Sequence, residues 1–360
     1  MNALLHTPGI KTRKAGVPSR VLIVDDSVVV RRIIARALAD DPRFIVSGAV
    51  SSAAQALEFL EQGPVDLILL DVEMAGESGL AVLPRLLAQD SRIRVVILSG
   101  MYREGSEAAL RALAIGASDV VAKPRAGHFS AEFVDILIER LLMLVPGNAR
   151  VEEAPRTSER KPRLRPLGGQ VRAIGIGGST GGIGAVMTLL GELPERIGVP
   201  VFITQHLPPN FQALFASQIA KATGLAVTCA EHHAPVRPDT IHVATGDAHL
   251  AVERAPDGHV RVAHSLEATA HAAFPSVDPM LASLGNVYGP GACGVLLSGM
   301  GRDGLSGATD LVGSGGWIVA QDEESSSVWG MPGSVAKAGL VSAVDKPAEI
   351  AALLCRHLAL

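Results

Sequence analysis

Cysteine is scarce in this chain: Cys229, Cys293 and Cys355 are the only three in 360 residues, and none forms a close metal-type pair. A disulfide framework and a cysteine-based metal cluster are therefore not expected, and the three thiols read as reduced core residues. An excess of either charge is also missing, because the formal net charge is only −4. That balance gives no reason to expect nucleic acid or an anionic membrane surface as a partner. No uninterrupted apolar run is long enough to cross a bilayer, and the N-terminus lacks an apolar signal core. A cytosolic protein with no membrane insertion is the expectation. A solenoid-type repeat is absent as well. The length is comfortable for two domains, each with a sizeable core.

A shift in composition marks the boundary between them. From Val145 to Gln170 the chain carries four prolines and a dense run of charges, with almost no apolar periodicity, as an exposed linker would. The first residues, through about Pro18, are similarly patternless. The reading is an N-terminal extension over 1–19, a first domain over 20–144, a linker over 145–170 and a second domain over 171–360.

In the first domain, apolar strand patterns at Val21–Val24, Phe44–Val50, Val65–Leu70, Val95–Ser99 and Val120–Ala122 alternate with helix patterns near Val28–Ala39, Ala53–Glu61, Leu80–Ala88, Ser106–Ile115 and Ala131–Val145. Alternation of this kind predicts a doubly wound parallel sheet. Polar residues collect where the strands end: Asp25 and Asp26, then Asp71, Ser99, and Lys123 with Pro124. Three carboxylates gathered at one edge repel one another and call for a cation, and hard oxygen ligands favour Mg²⁺. Lys123 would pair with an incoming phosphoryl group. Taken singly, each residue has a duller explanation, such as a helix cap for Asp26.

The second domain repeats the arrangement. Ala173 to Gly182 is an apolar strand running into a glycine-rich turn that holds Ser179, followed by the helical spacing of Ile183, Val186, Met187 and Leu190. Gly177 to Gly181 fits Gly-x-Ser-x-Gly, which exposes a serine hydroxyl beside backbone N–H groups. The same kind of turn also cradles phosphates or dinucleotides, or serves only as a turn. Two more strands narrow the choice: Val199 to Gln205 leads into His206, and Cys293 to Gly299 leads into Met300, Gly301, Arg302 and Asp303. In a parallel sheet all carboxyl ends lie on one edge, so Ser179, His206 and Asp303 can converge as a hydrolytic triad. A nicotinamide-dependent oxidoreductase would want an acidic residue at the end of the next strand, where Gln205 and His206 stand.

Several motifs in order give a family resemblance. Residues from about Arg20 to Leu144 resemble the response-regulator receiver domain, through Asp25-Asp26-Ser27, Asp71-Val72-Glu73-Met74 and Ala122-Lys123-Pro124-Arg125. The region from Val171 to about Val344 is similar to the catalytic domain of the chemotaxis protein-glutamate methylesterases, through Gly177–Gly182, Gln205–Pro208, Leu297–Gly304, Ala320–Glu323 and Gly330–Gly333. The resemblance implies a flavodoxin-like receiver followed by a Rossmann-like three-layer α/β esterase. It implies a phosphorylation-controlled enzyme that hydrolyses glutamyl methyl esters on the cytoplasmic helices of chemoreceptors and deamidates particular glutamines there. Its partners would be those receptors and a chemotaxis histidine kinase, with the chain acting as a monomer.

Carried over by residue, Ser179 is the nucleophile, His206 the general base and then acid, and Asp303 its orienting carboxylate. The backbone N–H groups of Thr180 and Met300 form the oxyanion hole. Asp71 is the phosphoacceptor, with Asp26, Asp71 and the Glu73 carbonyl as Mg²⁺ ligands, Asp25 in the outer shell, and Ser99 and Lys123 on the phosphoryl group. The esterase reaction itself needs no cofactor. The family also suggests that the unphosphorylated receiver covers the catalytic edge.

The chain departs from the family pattern at Ala75, where proline is usual, at Ser78, where an aspartate often stands, and in Val243–Asp247, which replaces a segment with an Ala-Pro-Gly core. Phe274 to Asp278 resembles a family loop near the active site. A turn before a helix at Pro279–Leu284 is the alternative, and no chemistry is assigned to the segment. Adjacent His232 and His233 are expected to point in different directions and not to hold a metal. Pro256, Asp257 and Gly258 read as a hairpin turn, and Trp317 and Trp329 as packing residues.

Overall fold

The computed structural model describes residues 17–90, 92–99, 107–124, 131–145, 164–269 and 273–358. Most of the N-terminal extension, most of the linker and Arg125 lie outside the described residues. Among those described, the first unit runs β1 (Ser19–Val24), α1 (Val28–Ala39), β2 (Phe44–Val50), α2 (Ala53–Gln62), β3 (Leu67–Asp71), α3 (Gly79–Leu87), β4 (Arg94–Ser99), α4 (Glu107–Ile115), β5 (Asp119–Ala122) and α5 (Ala131–Leu144). Its five strands pair in the order β2-β1-β3-β4-β5, every pair parallel. That is the flavodoxin-like winding, with its switch point between β1 and β3. Helices cover both faces, so the central strands bury both sides and read as unbroken apolar runs. Leu67 to Leu70 and Val95 to Leu98 are all buried.

The second unit contains β6 (Ala173–Gly178), α6 (Gly182–Gly191), β7 (Val201–Gln205), α7 (Pro209–Thr223), β8 (Ala226–Cys229), β9 (Thr240–Val243), β10 (His249–Arg254), β11 (Val260–Ser265), α8 (Val277–Tyr288), β12 (Ala292–Leu296), α9 (Leu305–Gly313), β13 (Trp317–Gln321), α10 (Met331–Lys337), β14 (Val341–Asp345) and α11 (Pro347–Cys355). Seven strands form one parallel sheet in the order β14-β13-β12-β6-β7-β9-β8. The chain leaves β6 toward β7 on one side and later returns on the other side as β12. The crevice at the carboxyl end of β6 is therefore a topological switch point, where α/β sheets bind ligands.

Strand β10 pairs antiparallel with β11 outside that sheet, joined by the turn expected around Gly258. Helix α8 lies close over β6 because β6 presents Gly175 and Gly177 to it. A Cβ on Gly177 would stand 2.5 Å from a Val277 methyl, and one on Gly175 2.5 Å from Leu284. Glycine at alternate strand positions permits this close approach, and the approach seats the start of α8 beside the catalytic edge.

Trp317 is buried and Trp329 is half-buried, its Nε1 donating to the Gln321 carbonyl at 2.8 Å, in keeping with packing roles. The two adjacent histidines depart from expectation. His233 adopts a positive φ of 64°, which folds its ring back against His232 with centroids 3.7 Å apart. Among the described residues the one cluster of three groups poised for a metal ion lies elsewhere, at Asp25, Asp26 and Asp71.

The two units pack together through α4. Leu110 is fully buried among Ile183, Val186 and other residues of the second unit, with Leu113 and Ala114 packed against the same cluster. Helix α6 is closely approached at that contact, since a Cβ on Gly184 would lie 3.2 Å from the Leu113 carbonyl oxygen. In the other direction, Val328 joins the buried cluster of Val96, Leu98 and Val121.

Candidate functional site

In the first unit the acidic groups meet at the carboxyl edge of β1 and β3. Ligand oxygens of Asp25, Asp26 and Asp71 lie within 4.8 Å of one another. Lys123 Nζ bridges two of them, 2.6 Å from Asp25 Oδ2 and 2.7 Å from Asp71 Oδ2. Burial drives the Asp71 carboxyl above its usual range; Lys123 opposes that shift, and the nearby Asp25 charge adds to it. The Glu73 N–H donates to Asp71 Oδ1 at 3.1 Å. Ser99 closes β4 and is buried beside the cluster, its carbonyl accepting from the Lys123 N–H at 2.8 Å.

Asp26 is exposed and does not cap α1. Ser27 is the cap, its Oγ accepting from Val30 N–H, so the carboxylate of Asp26 is left for the pocket. Two of the departures from the family pattern acquire physical roles here. Ala75 donates its N–H to Asp26 Oδ2 at 3.1 Å, a bond that proline could not make. Ser78 caps α3 by accepting from Ala81 N–H. Gly79 is obligatory, because a Cβ there would sit 2.0 Å from the Asp71 carbonyl oxygen.

The donor set fits a small hard dication: the carboxylates of Asp25, Asp26 and Asp71 are oxygen ligands of the kind Mg²⁺ prefers.

In the second unit the three strand ends bring Ser179, His206 and Asp303 to the switch point. Ser179 N–H donates to the Ser298 carbonyl at 3.0 Å, and the Ser179 carbonyl accepts from Gly182 N–H and from Gln205 Nε2, both at 2.8 Å. These bonds fix the turn while the Ser179 hydroxyl makes no hydrogen bond of its own among the described residues. Gln205 is held in turn by Gln212, whose Nε2 donates to the Gln205 carbonyl at 3.1 Å. Gly181 opens α6 in the left-handed region at φ 74°, a conformation in which glycine carries no side-chain penalty.

His206 Nε2 lies 2.7 Å from Asp303 Oδ2. The ring nitrogen bonded to the carboxylate carries the proton in the neutral tautomer, which leaves Nδ1 as the basic nitrogen. Asp303 is almost fully buried. Burial alone would raise its pKa, but hydrogen bonds from His206, from Ser276 Oγ and from Val277 N–H outweigh that and hold it below the usual carboxylate range. The Ser276 and Val277 bonds are 2.5 Å and 2.8 Å long. The segment Phe274–Asp278 therefore belongs to the site, and the expectation that assigned it no chemistry is corrected. Its tie to Asp303 crosses 26 residues and carries no periodic signal. The hints were a serine at the start of a helix pattern and a strand with glycine at alternate positions facing it.

The backbone N–H groups of Thr180 and Met300 donate to no group among the described residues, while the neighbouring Gly299 N–H donates to the Val328 carbonyl at 3.0 Å. Both sit beside Ser179, since a Cβ on Gly299 would be 2.9 Å from Ser179 Cβ. Ser298 Oγ donates to the Thr180 carbonyl at 2.7 Å and accepts from Val328 N–H at 3.1 Å. The first unit reaches this same loop. Arg94 donates to the Ser326 carbonyl at 2.7 Å, and the Ser118 and Ser327 hydroxyls lie 3.5 Å apart.

A fold of this winding with a bare serine, a histidine and a buried carboxylate at its switch point, joined to a receiver-type acidic pocket, defines a response regulator whose output is an α/β hydrolase domain. Comparison with known proteins gives the particular family. Residues 174–354 match the CheB methylesterase family, and residues 21–129 the response regulator receiver domain. A protein-glutamate methylesterase/protein-glutamine glutaminase of Nitrobacter hamburgensis is 35% identical over 358 residues, covering 94% of each chain. A protein of the same description from Caulobacter vibrioides is 38% identical over 330 residues, 90% of this chain and 94% of the relative. The crystal structure of the Thermotoga maritima CheB methylesterase catalytic domain superposes with a TM-score of 0.50 at 31% identity, covering 52% of this chain and 98% of that one. The chain belongs to the receiver-linked protein-glutamate methylesterase/protein-glutamine glutaminase family. No helix among the described residues is long and apolar enough to cross a membrane.

Proposed function

We propose that residues 171–360 act as a serine hydrolase on glutamyl methyl esters of chemoreceptors, and as a deamidase on particular receptor glutamines, under the control of a receiver over residues 20–144 that a chemotaxis histidine kinase phosphorylates. The observation that carries the reading is the hydrogen-bond geometry at the switch point: a histidine fixed by a buried aspartate beside a serine whose hydroxyl is unengaged among the described residues.

Ser179 Oγ attacks the ester carbonyl while His206 Nδ1 takes its proton. The tetrahedral oxyanion is met by the Thr180 and Met300 N–H groups; losing one such donor typically costs about 3–4 kcal/mol of transition-state stabilisation. The intermediate collapses to an acyl-serine as the imidazolium returns the proton to departing methanol. Water then enters, gives its proton to His206, and releases the glutamate carboxylate and free Ser179. With a glutamine side chain the departing group is ammonia. Asp303 orients the ring and offsets the imidazolium charge throughout.

Asp71 is the phosphoacceptor, with Asp26, Asp71 and the Glu73 carbonyl as holders of Mg²⁺ and Asp25 behind them. Held there, Mg²⁺ would supply shielding of carboxylate and phosphoryl charge. Lys123 Nζ, now shared by Asp25 and Asp71, pairs with the phosphoryl group, and Ser99 offers it a hydroxyl.

Phosphorylation replaces the carboxylate charge of Asp71 with a phosphoryl group carrying about −1.5 to −2, a net gain of about one negative charge, and weakens the contact of the receiver with α6 and the 326–328 loop. A tenfold activation needs only about 1.4 kcal/mol of coupling, a small bias for an interface of this kind. Methanol release from methylated receptor, with and without a small phosphodonor and Mg²⁺, tests the reading in wild type and Asp71→Asn. The donor should accelerate wild type alone. Absence of methanol under every condition would reject the esterase reading, and equal stimulation of Asp71→Asn would reject Asp71 as acceptor.

A further inference from the structure

Behind the triad a second chain of hydrogen bonds runs into the core. Ser276 Oγ donates to Asp303 Oδ1 at 2.5 Å, and the Ser276 backbone N–H donates to His249 Nδ1 at 2.8 Å. His249 Nε2 lies 3.1 Å from the Glu267 carbonyl oxygen. These partners fix the tautomer: Nδ1 accepts, so Nε2 carries the hydrogen and donates. His249 is 2% exposed, Ser276 is fully buried, and the Phe274 ring sets its edge against the imidazole with centroids 4.7 Å apart.

We propose that Ser276 and His249 are positioning residues for the hydrolysis, a relay in which His249 fixes the Ser276 backbone and the Ser276 hydroxyl fixes Asp303, and through it the His206 ring. The assignment rests on the triad reading above.

The alternative is that Ser276 is only a helix cap, because its Oγ also accepts from Asp278 N–H at 3.2 Å. A cap needs only an acceptor oxygen. Here the hydroxyl proton is committed to Asp303, and no neighbouring donor could replace it on Oδ1, because His206 and Val277 both bond Oδ2. A carboxylate held at one oxygen alone is less restrained about its χ2, and a small misplacement of a triad member is costly in rate. His249 also ties in the β10–β11 hairpin, which lies outside the main sheet.

The test uses the full-length protein with phosphodonor and Mg²⁺, with methylated receptor as substrate. Ser276→Gly keeps near-normal capping and deletes the hydroxyl, so kcat should fall about tenfold or more with KM within about twofold. Ser276→Thr retains the hydroxyl and should restore most of kcat. In wild type, the His206 ring N–H should give a low-field proton resonance, assigned by its loss in His206→Gln. Ser276→Gly should shift or broaden that resonance, and His249→Gln should do so to a lesser degree. Wild-type kcat and an unmoved resonance in a folded Ser276→Gly would reduce Ser276 to a cap and overturn the relay. Full activity in Ser179→Ala is the separate result that would remove the triad reading itself.

Discussion

Each unit buries an aspartate at the carboxyl edge of its sheet, and the two are pushed in opposite directions. Asp303 receives donors from His206, Ser276 and Val277, and its carboxyl sits below the usual range despite burial. Asp71 has Lys123 and the Glu73 N–H, faces the Asp25 charge, and is pushed upward by burial. A satisfied buried carboxylate is a finished part, held in one geometry and ready for catalysis. A buried carboxylate crowded by others is an unfinished one, which a cation and then a phosphoryl group complete. The catalytic site is therefore organised in advance, and in the proposed function control is exercised on access to it through the contact between the units.

This contrast can be broken at either end. Asp303→Asn keeps the shape of the side chain but favours the wrong His206 tautomer, and should lower kcat by about ten-thousandfold; a loss below tenfold in the methanol assay would mean that Asp303 does not orient His206. Leu110→Asp places a charge in the buried contact between the units. It should raise the unphosphorylated rate about tenfold, equivalent to ~1.4 kcal/mol, and shrink the further gain from phosphodonor. An unchanged basal rate would argue that the contact through α4 does not restrain the enzyme.

Smaller effects sharpen the difference. Mg²⁺ at about a hundred times its Kd should add roughly 2.7 kcal/mol to receiver stability, seen as a rise in its melting transition that Asp26→Ala abolishes. Equal rises in both proteins would place the ion elsewhere. For Asp303 the sign follows from a folded pKa below the unfolded value: its contribution to stability is present above the ordinary carboxylate pKa and lost as pH falls through the lower folded value. Acid titration of the second unit's melting temperature should thus fall less steeply in Asp303→Asn than in wild type.

Much of this is legible in the sequence. The alternation of apolar strand and helix patterns carries the element order, so β2 and α1 begin and end where that pattern places them, and the motif residues fall at strand ends because that is where the sheet exposes them. Boundaries shifted by a residue or two where capping decided them, as at Gly79, where Ser78 starts α3 a residue before the apolar spacing does. The support behind Asp303 was illegible for a different reason. Ser276 and His249 reach it across long stretches of chain, through single hydrogen bonds that leave no spacing rule. The stacking of His232 on His233 was missed because it depends on a positive φ at a residue that seldom adopts one. The docking of α4 on α6 has its trace in Gly184, whose close approach to the Leu113 carbonyl is visible only in the folded chain.

The central claim is that a preorganised serine triad performs the hydrolysis, and replacing the nucleophile tests it most directly. Methanol release from methylated receptor by phosphodonor-treated Ser179→Ala should fall by about a millionfold relative to wild type, with the melting temperature little changed. Release from a folded Ser179→Ala at a rate comparable to wild type would contradict the account.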